Sequence, residues 1–156
     1  MPHLSALTEY KKVMINAFLR DRRFVDLVTN TSDHPLPASD LLSKQVFLYD
    51  FIDGTVKDEK VYVCIEADDS WVANCAVSQF NISIYIAVPK SLMDMNGEIR
   101  RDAIAQRIDE LINGSTDFGF GKLKRKPGGR LQFNEAFRGR VLNYTVEDWN
   151  RHNTTL

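Results

Sequence analysis

The chain lacks a long apolar run, has little cysteine and carries almost no net charge, and each shortage removes a class of function. No stretch approaches the roughly 18 apolar residues of a membrane-spanning helix, so no membrane partner is expected. Cys64 and Cys75 are the only cysteines. Two thiols do not build the disulfide framework of a small secreted domain, and the opening residues MPHLSALTEYKK lack the apolar core of a signal peptide. The expectation is a soluble intracellular chain in a reducing compartment, where its five Asn-x-Ser/Thr triplets are chance. Twenty Lys and Arg stand against 21 Asp and Glu, for a net charge of −1. No overall field then draws the chain to nucleic acid or lipid, and any attraction must come from local clusters.

Catalytic vocabulary is equally scarce. The three histidines, His3, His34 and His152, fall in loops or near the ends. No Ser/His/Asp or Cys/His set can be assembled. The glycine-rich stretch Gly114–Gly121 is not a phosphate loop. Gly121-Lys122 is followed by Leu123 where Ser or Thr is required, Thr116 stands where the first glycine is required, and the stretch follows a helix. Asp117-Phe118-Gly119 matches a kinase triplet without the other kinase motifs. Glu66, Asp68 and Asp69 are better read as a solvated strand end than as a metal site, since they lack a calcium-loop pattern. The reading is therefore of a non-enzyme, with no catalytic residues, no cofactor and no metal.

What is present is a good core. A chain of 156 residues that is 44% hydrophobic and 26% charged fits one domain over 1–156. An N-terminal helical segment is expected over 1–30. In its first helix, 5–20, Ser5 serves as N-cap, and Tyr10, Val13, Met14, Ala17 and Phe18 form the buried stripe. A second helical piece, 21–29, presents Phe24, Leu27 and Val28 and stops at Asn30. The turn-rich 30–40 is a surface loop. Residues 45–150 should hold the sheet and a central helix. Strands are predicted at Val46–Phe51, at Lys60–Ala67 with a polar break at Asp68-Asp69-Ser70, and at Val72–Val88, where Phe80, Ile82, Ile84, Ile86 and Val88 alternate with polar neighbours. That alternation suits an antiparallel strand with one face on the core and the other wet or against a partner.

The central helix is predicted over 97–113. Gly97 opens it, Ile104, Ile108, Leu111 and Ile112 bury, Arg100, Arg101 and Arg107 lie largely outside the stripe, and Asn113-Gly114 ends it. A basic hairpin should follow, with a strand at Lys122–Lys126, a tight turn at Pro127-Gly128-Gly129 and a return over Arg130–Asn134. Arg140–Glu147 is the last strand, with Leu142, Tyr144 and Val146 facing one way, and 151–156 is a loose tail. The order α-β-β-β-α-β-β implies an α+β fold, a mostly antiparallel sheet with two main helices on one face.

The strongest local signal is the basic arm Lys122, Lys124, Arg125, Lys126 and Arg130, followed by Arg138 and Arg140. Its partner is nucleic-acid phosphate, an acidic protein surface, or only water. Trp71, beside Asp69, either caps the core or anchors an interface. Cys64 is read as a structural thiol.

Three stretches together resemble the small head–tail joining proteins of long-tailed bacteriophages, and among them the tail terminator or tail completion group. They are R-x-D-x-I-A-x-x-I-D-E-L-I-N-G (Arg100–Gly114), D-F-G-F-G-K-L (Asp117–Leu123) and G-R-V-L-N-Y-T-V-E-D-W-N (Gly139–Asn150). The strand ending I-A-V-P-K (Ile86–Lys90) fits the same order. The resemblance covers roughly residues 45–150 and does not reach 1–44. It implies a subunit of a ring, usually a hexamer, that caps the tail tube, stops its polymerisation and meets the head connector in the virion, after assembly in the host cytoplasm. DNA would pass through the lumen without sequence-specific binding. The partners implied are further copies of the chain, the tail tube protein and a head completion or connector protein. Contacts are expected at Asp68, Asp69, Trp71, Arg100, Arg101, Arg107, Lys122, Lys124, Arg125, Lys126 and Arg130, with cations of one subunit against acids such as Asp68 and Asp69 of the next.

Overall fold

A computed structural model describes residues 4–29, 41–42, 44–48, 59–72, 77–118, 121–132 and 135–149, with backbone alone for 4–6, 69–72 and 149. The first helix, α1 (Leu4–Arg20), buries Tyr10, Met14, Ile15 and Phe18. It starts ahead of Ser5, which therefore lies within the first turn and is not the cap. The helix is also rolled from the expected stripe: Val13 is 40% exposed and Ile15 is buried. The roll brings Lys11 to the sheet margin, where its ammonium donates to Leu48 O at 2.9 Å and to Glu66 at 3.3 Å. Asp21 separates α1 from α2 (Arg22–Thr29) and caps the second helix, accepting from Phe24 N at 2.8 Å. Phe24, Leu27 and Val28 bury as predicted. Asn30 and the loop 30–40 lie outside the described residues.

β1 (Val46–Phe47) runs parallel to β2 (Tyr62–Val72), while β2 pairs antiparallel with β3 (Val77–Pro89). Leu48 is a bend and not part of the predicted strand's extension, and 49–51 are outside the described residues. The polar break at Asp68-Asp69-Ser70 does not occur. β2 continues to Val72, held by pairing such as Asp68↔Asn81 and Asp69↔Phe80, with a register shift between Asp69 and Trp71. A bulge absorbs the residues of poor strand propensity, and the partner strand's hydrogen bonds outweigh that propensity.

The central helix begins three residues later than predicted. Asn96 (φ 51°) and Gly97 (φ 95°) form the turn of a small hairpin, β4 (Asp94–Met95) with β5 (Glu98–Ile99). Two successive positive φ angles are what an Asn-Gly hairpin turn supplies, and this use of Gly97 displaces the helix start to α3 (Arg100–Ile112). The predicted stop holds: Asn113 is extended and Gly114 has φ 78°.

The basic segment is not a hairpin. β6 (Lys124–Leu131) is a single strand paired with β7 (Phe137–Trp149) from Lys124↔Thr145 to Leu131↔Gly139. Pro127-Gly128-Gly129 carries a bulge, not a turn. Pro127 lacks an N–H for a ladder bond, and a Cβ on Gly128 would stand 2.2 Å from Val141 O. Arg130 and Leu131 therefore continue β6 and do not begin a return strand, while 133–134 of the predicted return lie outside the described residues.

The five-stranded sheet has the order β1-β2-β3-β7-β6 and is antiparallel except at β1–β2. One face carries α1 over β2 and α3 over β3 and β7, with α2 packed on α3. Val63, Ile65, Phe80, Ile82, Ile84, Ile86, Tyr144 and Val146 meet Met14, Phe18, Phe24, Ile104, Ile108 and Ile112 in one core. Each such side chain contributes about 1.5–3 kcal/mol through burial. The fold is the α+β arrangement read from the residue pattern. On the opposite face, at one end, Phe47, Tyr62, Cys64, Ala87 and Phe137 form a second buried cluster, so the Cys64 thiol is packed. The other end of that face is polar.

Candidate functional site

Side-chain direction on β6 follows from its register. Arg125 is paired with Tyr144 and Arg130 with Arg140, both on the helix-covered side. Lys124 and Lys126 are paired with Thr145 and Asn143, on the open side, so alternation holds before the bulge. Lys122, Lys124, Arg125, Lys126 and Arg130 are all exposed. Arg125 has a partner in Asp109 of α3 at 3.5 Å. Arg140 reaches Asp102 at 3.1 Å, and Arg101 shares that carboxylate at 3.3 Å. A shallow groove of about 290 Å³ between α3 and the β6–β7 edge is lined by Asp102, Gln106, Asp109, Arg125 and Arg140. Its acids and bases pair with one another.

The helix arginines differ most from expectation. Arg100 is 4% exposed and belongs to the interior. Its Nε donates to Leu92 O at 2.8 Å and its Nη1 to Leu27 O at 2.7 Å, so it ties the segment before α3 to the end of α2. Burial lowers its pKa below the usual guanidinium value. Arg107 forks onto Asp21 and also bonds Glu110 at 2.8 Å. Those bonds, with Asp21 first and Glu110 second, raise the Arg107 pKa, and Arg107 in turn holds both carboxyls below their ordinary range. Neither Arg100 nor Arg107 is free for a neighbour. Arg101 is half-buried.

On β2, Asp68 is exposed. The backbone places Asp69 across from Phe80 and Trp71 across from Gln79, so these three candidates share one end of the strand. Glu66 is bonded to Lys11, and among the described residues no group of three or more His, Cys, Asp or Glu gathers. The open sheet face beside Asp68 continues through Asn81 and Ser83 of β3 to Asn143 and Thr145 of β7. Ser83 donates to Asn143 at 2.9 Å, and Asn143 donates to Pro127 O at 3.0 Å, bracing β6 from the side.

Two tyrosine–aspartate pairs, one buried and one part-buried, escaped the residue pattern. Tyr10 of α1 donates to Asp148 of β7, and Tyr144 donates to Asp109 at 2.8 Å. Burial, then the Asp109 carboxylate, pushes the Tyr144 hydroxyl far above its ordinary pKa. The Tyr144 signal was half visible: a tyrosine in an otherwise apolar inward row needs a partner for its hydroxyl. These arrangements fix α1 and α3 to the sheet. Among the described residues, the surfaces they leave are an open polar sheet face, an acidic strand end and a cationic edge. No curated protein matches the chain. The sequence model of the YomW family matches residues 21–146.

Proposed function

The chain belongs to the YomW family, which is phage-associated, and from that premise we propose that it is a structural subunit of the phage particle, a tail-terminator ring protein. In this reading the ring caps the finished tail tube, ends its polymerisation and joins it to the head connector. The observation that carries the reading is the architecture. Among the described residues, the helices that pack on the five-stranded sheet lie on one face, which leaves Asp68, Asn81, Ser83, Asn143 and Thr145 on the other. That is the α+β arrangement the tail-terminator resemblance implies.

A closed ring is built from two unlike surfaces that meet around an axis. The open face, with the end of β2 that carries Asp68, Asp69 and Trp71, is one of them. Arg100 and Arg107 are withdrawn from the contact set because they hold the subunit together internally. The partners in this reading are further copies of the chain, the tube protein and a connector protein, with the virion as the site of action.

Size-exclusion chromatography with light scattering, across protein and salt concentrations, tests the reading. A discrete oligomer that weakens on Asp68→Lys and Ser83→Lys supports it. A monomer under every condition, with no rings in electron micrographs of concentrated protein, overturns it.

A further inference from the structure

The β6 edge concentrates positive charge that the described residues neutralise only in part. Residues 122–140 hold seven of the chain's 20 Lys and Arg, at 122, 124, 125, 126, 130, 138 and 140, and a single acid, Glu135. Arg125 and Arg140 are matched by Asp109 and Asp102. Among the described residues no carboxylate pairs with Lys122, Lys124, Lys126 or Arg130, and all four are exposed. Four like charges within nine positions repel one another unless an anion is supplied from outside.

Protection of an exposed edge accounts for part of this pattern, since lysine, proline and a bulge all discourage pairing with a foreign strand. It does not account for the number of cations or for their distribution. Lys124 and Lys126 lie on the open side of the edge, and Arg130 lies on the helix side with Arg140. The edge is thus a cationic ridge that presents charge to both sides. Next to it, Gly129 has open space where a side chain would sit.

The chemistry of the ridge selects among polyanions. Protein interfaces have apolar or aromatic centres from which lysine is depleted. Here Leu123 is buried, Leu131 is half-buried, and no aromatic lies within β6. Single-stranded nucleic acid calls for aromatic platforms on which bases stack, and the strip has none. A duplex backbone needs only cations at spacings a strand can supply.

We propose that the β6 edge binds the phosphate backbone of double-stranded nucleic acid without regard to sequence, through Lys122, Lys124, Lys126 and Arg130. In this proposal the contacts are to phosphate alone, so the bases go unread. Four phosphate contacts set a log–log salt slope of about −3.6, or a loss of roughly 150-fold in affinity between 50 and 200 mM salt.

Fluorescence anisotropy of the full chain with labelled duplexes of two unrelated sequences tests this. The expected result is equal affinity for both duplexes and the slope given above. The K122Q/K124Q/K126Q/R130Q variant, checked by circular dichroism, should lose at least about 100-fold at 50 mM salt and show a nearly flat slope. The K124R/K126R variant should bind like the parent. Absence of binding at 50 mM salt overturns the proposal, as does a slope unchanged in the quadruple variant. Competition by polyglutamate as effective as by duplex would also overturn it, in favour of an acidic protein partner. Light scattering of the same samples keeps the result separate from ring assembly, because a monomer that binds duplex would count against the ring alone.

Discussion

Arg107 and Asp21, 86 residues apart in sequence, form a two-pronged ion pair: Nε stands 3.0 Å from Oδ1 and Nη2 2.5 Å from Oδ2. Oδ1 also accepts from Phe24 N, so one carboxylate caps α2 and pins it to α3. Asp21→Asn keeps the cap and removes the charge, and should cost about 1 kcal/mol at pH 7. Asp21→Ala removes both and should cost about 2 kcal/mol. Because Arg107 depresses the Asp21 pKa in the folded state, the charge contribution is full above the unfolded carboxylate value of about 3.9 and fades as pH falls through the lower folded value. Urea unfolding at pH 7, 5 and 3 should therefore show a constant gap between parent and Asp21→Asn at the first two pH values and a smaller one at the third.

Arg100→Met tests the interior guanidinium. The substitution keeps most of the apolar stem but leaves the carbonyls of Leu92 and Leu27 without their donor. A loss of about 2–4 kcal/mol is expected, since a buried acceptor without a partner bears its full desolvation cost. If Arg100 were an interface residue instead, chemical denaturation of the isolated subunit would hardly change.

Tyr144→Phe removes one hydroxyl and leaves the Asp109 carboxylate with Arg125 and Asn113. About 1 kcal/mol should be lost at neutral pH. The folded-state pKa of Tyr144 is raised, so this contribution is intact below the unfolded value of about 10 and declines as pH rises beyond it. Spectrophotometric titration should show Tyr144 ionising only as the protein unfolds, and the amplitude of the unfolding-linked step should fall by one tyrosine in the variant.

Gly128→Ala asks whether the bulge is necessary. The new methyl group would meet Val141 O at 2.2 Å, a backbone atom that cannot move aside without disturbing the β6–β7 ladder. Destabilisation of about 1–3 kcal/mol is expected. Amide exchange should quicken over 124–131 far more than in the β3–β7 pair.

What could be read without coordinates was whatever repeats along the chain. The rows Phe80–Val88 and Leu142–Val146, and the α3 stripe Ile104, Ile108 and Ile112, bury as their periods require. Local turn chemistry was ambiguous. Asn96-Gly97 and Pro127-Gly128-Gly129 both carry turn residues, yet one makes a hairpin turn before a helix and the other a bulge inside a strand. The choice depends on which strand lies alongside, and no local window holds that information. Ion pairing is still less local. The α3 arginines resemble a solvated face until Asp21 and the carbonyls of Leu27 and Leu92 are placed beside them. For the candidate surfaces, the cationic run was visible in the sequence, while its position on a sheet edge was not.

The strand order β1-β2-β3-β7-β6 also has a consequence for synthesis. β3 occupies the middle of the sheet, but its second neighbour is β7, the last strand among the described residues and made long after β3, with pairs such as Ile82↔Tyr144. Until β7 emerges, a nascent chain carrying Ile82, Ile84 and Ile86 has an unsatisfied strand edge in the middle of its future core. High contact order of this kind slows folding and prolongs exposure to aggregation. Truncation after Gln132 should therefore yield insoluble protein, because the central strand would be without half its ladder.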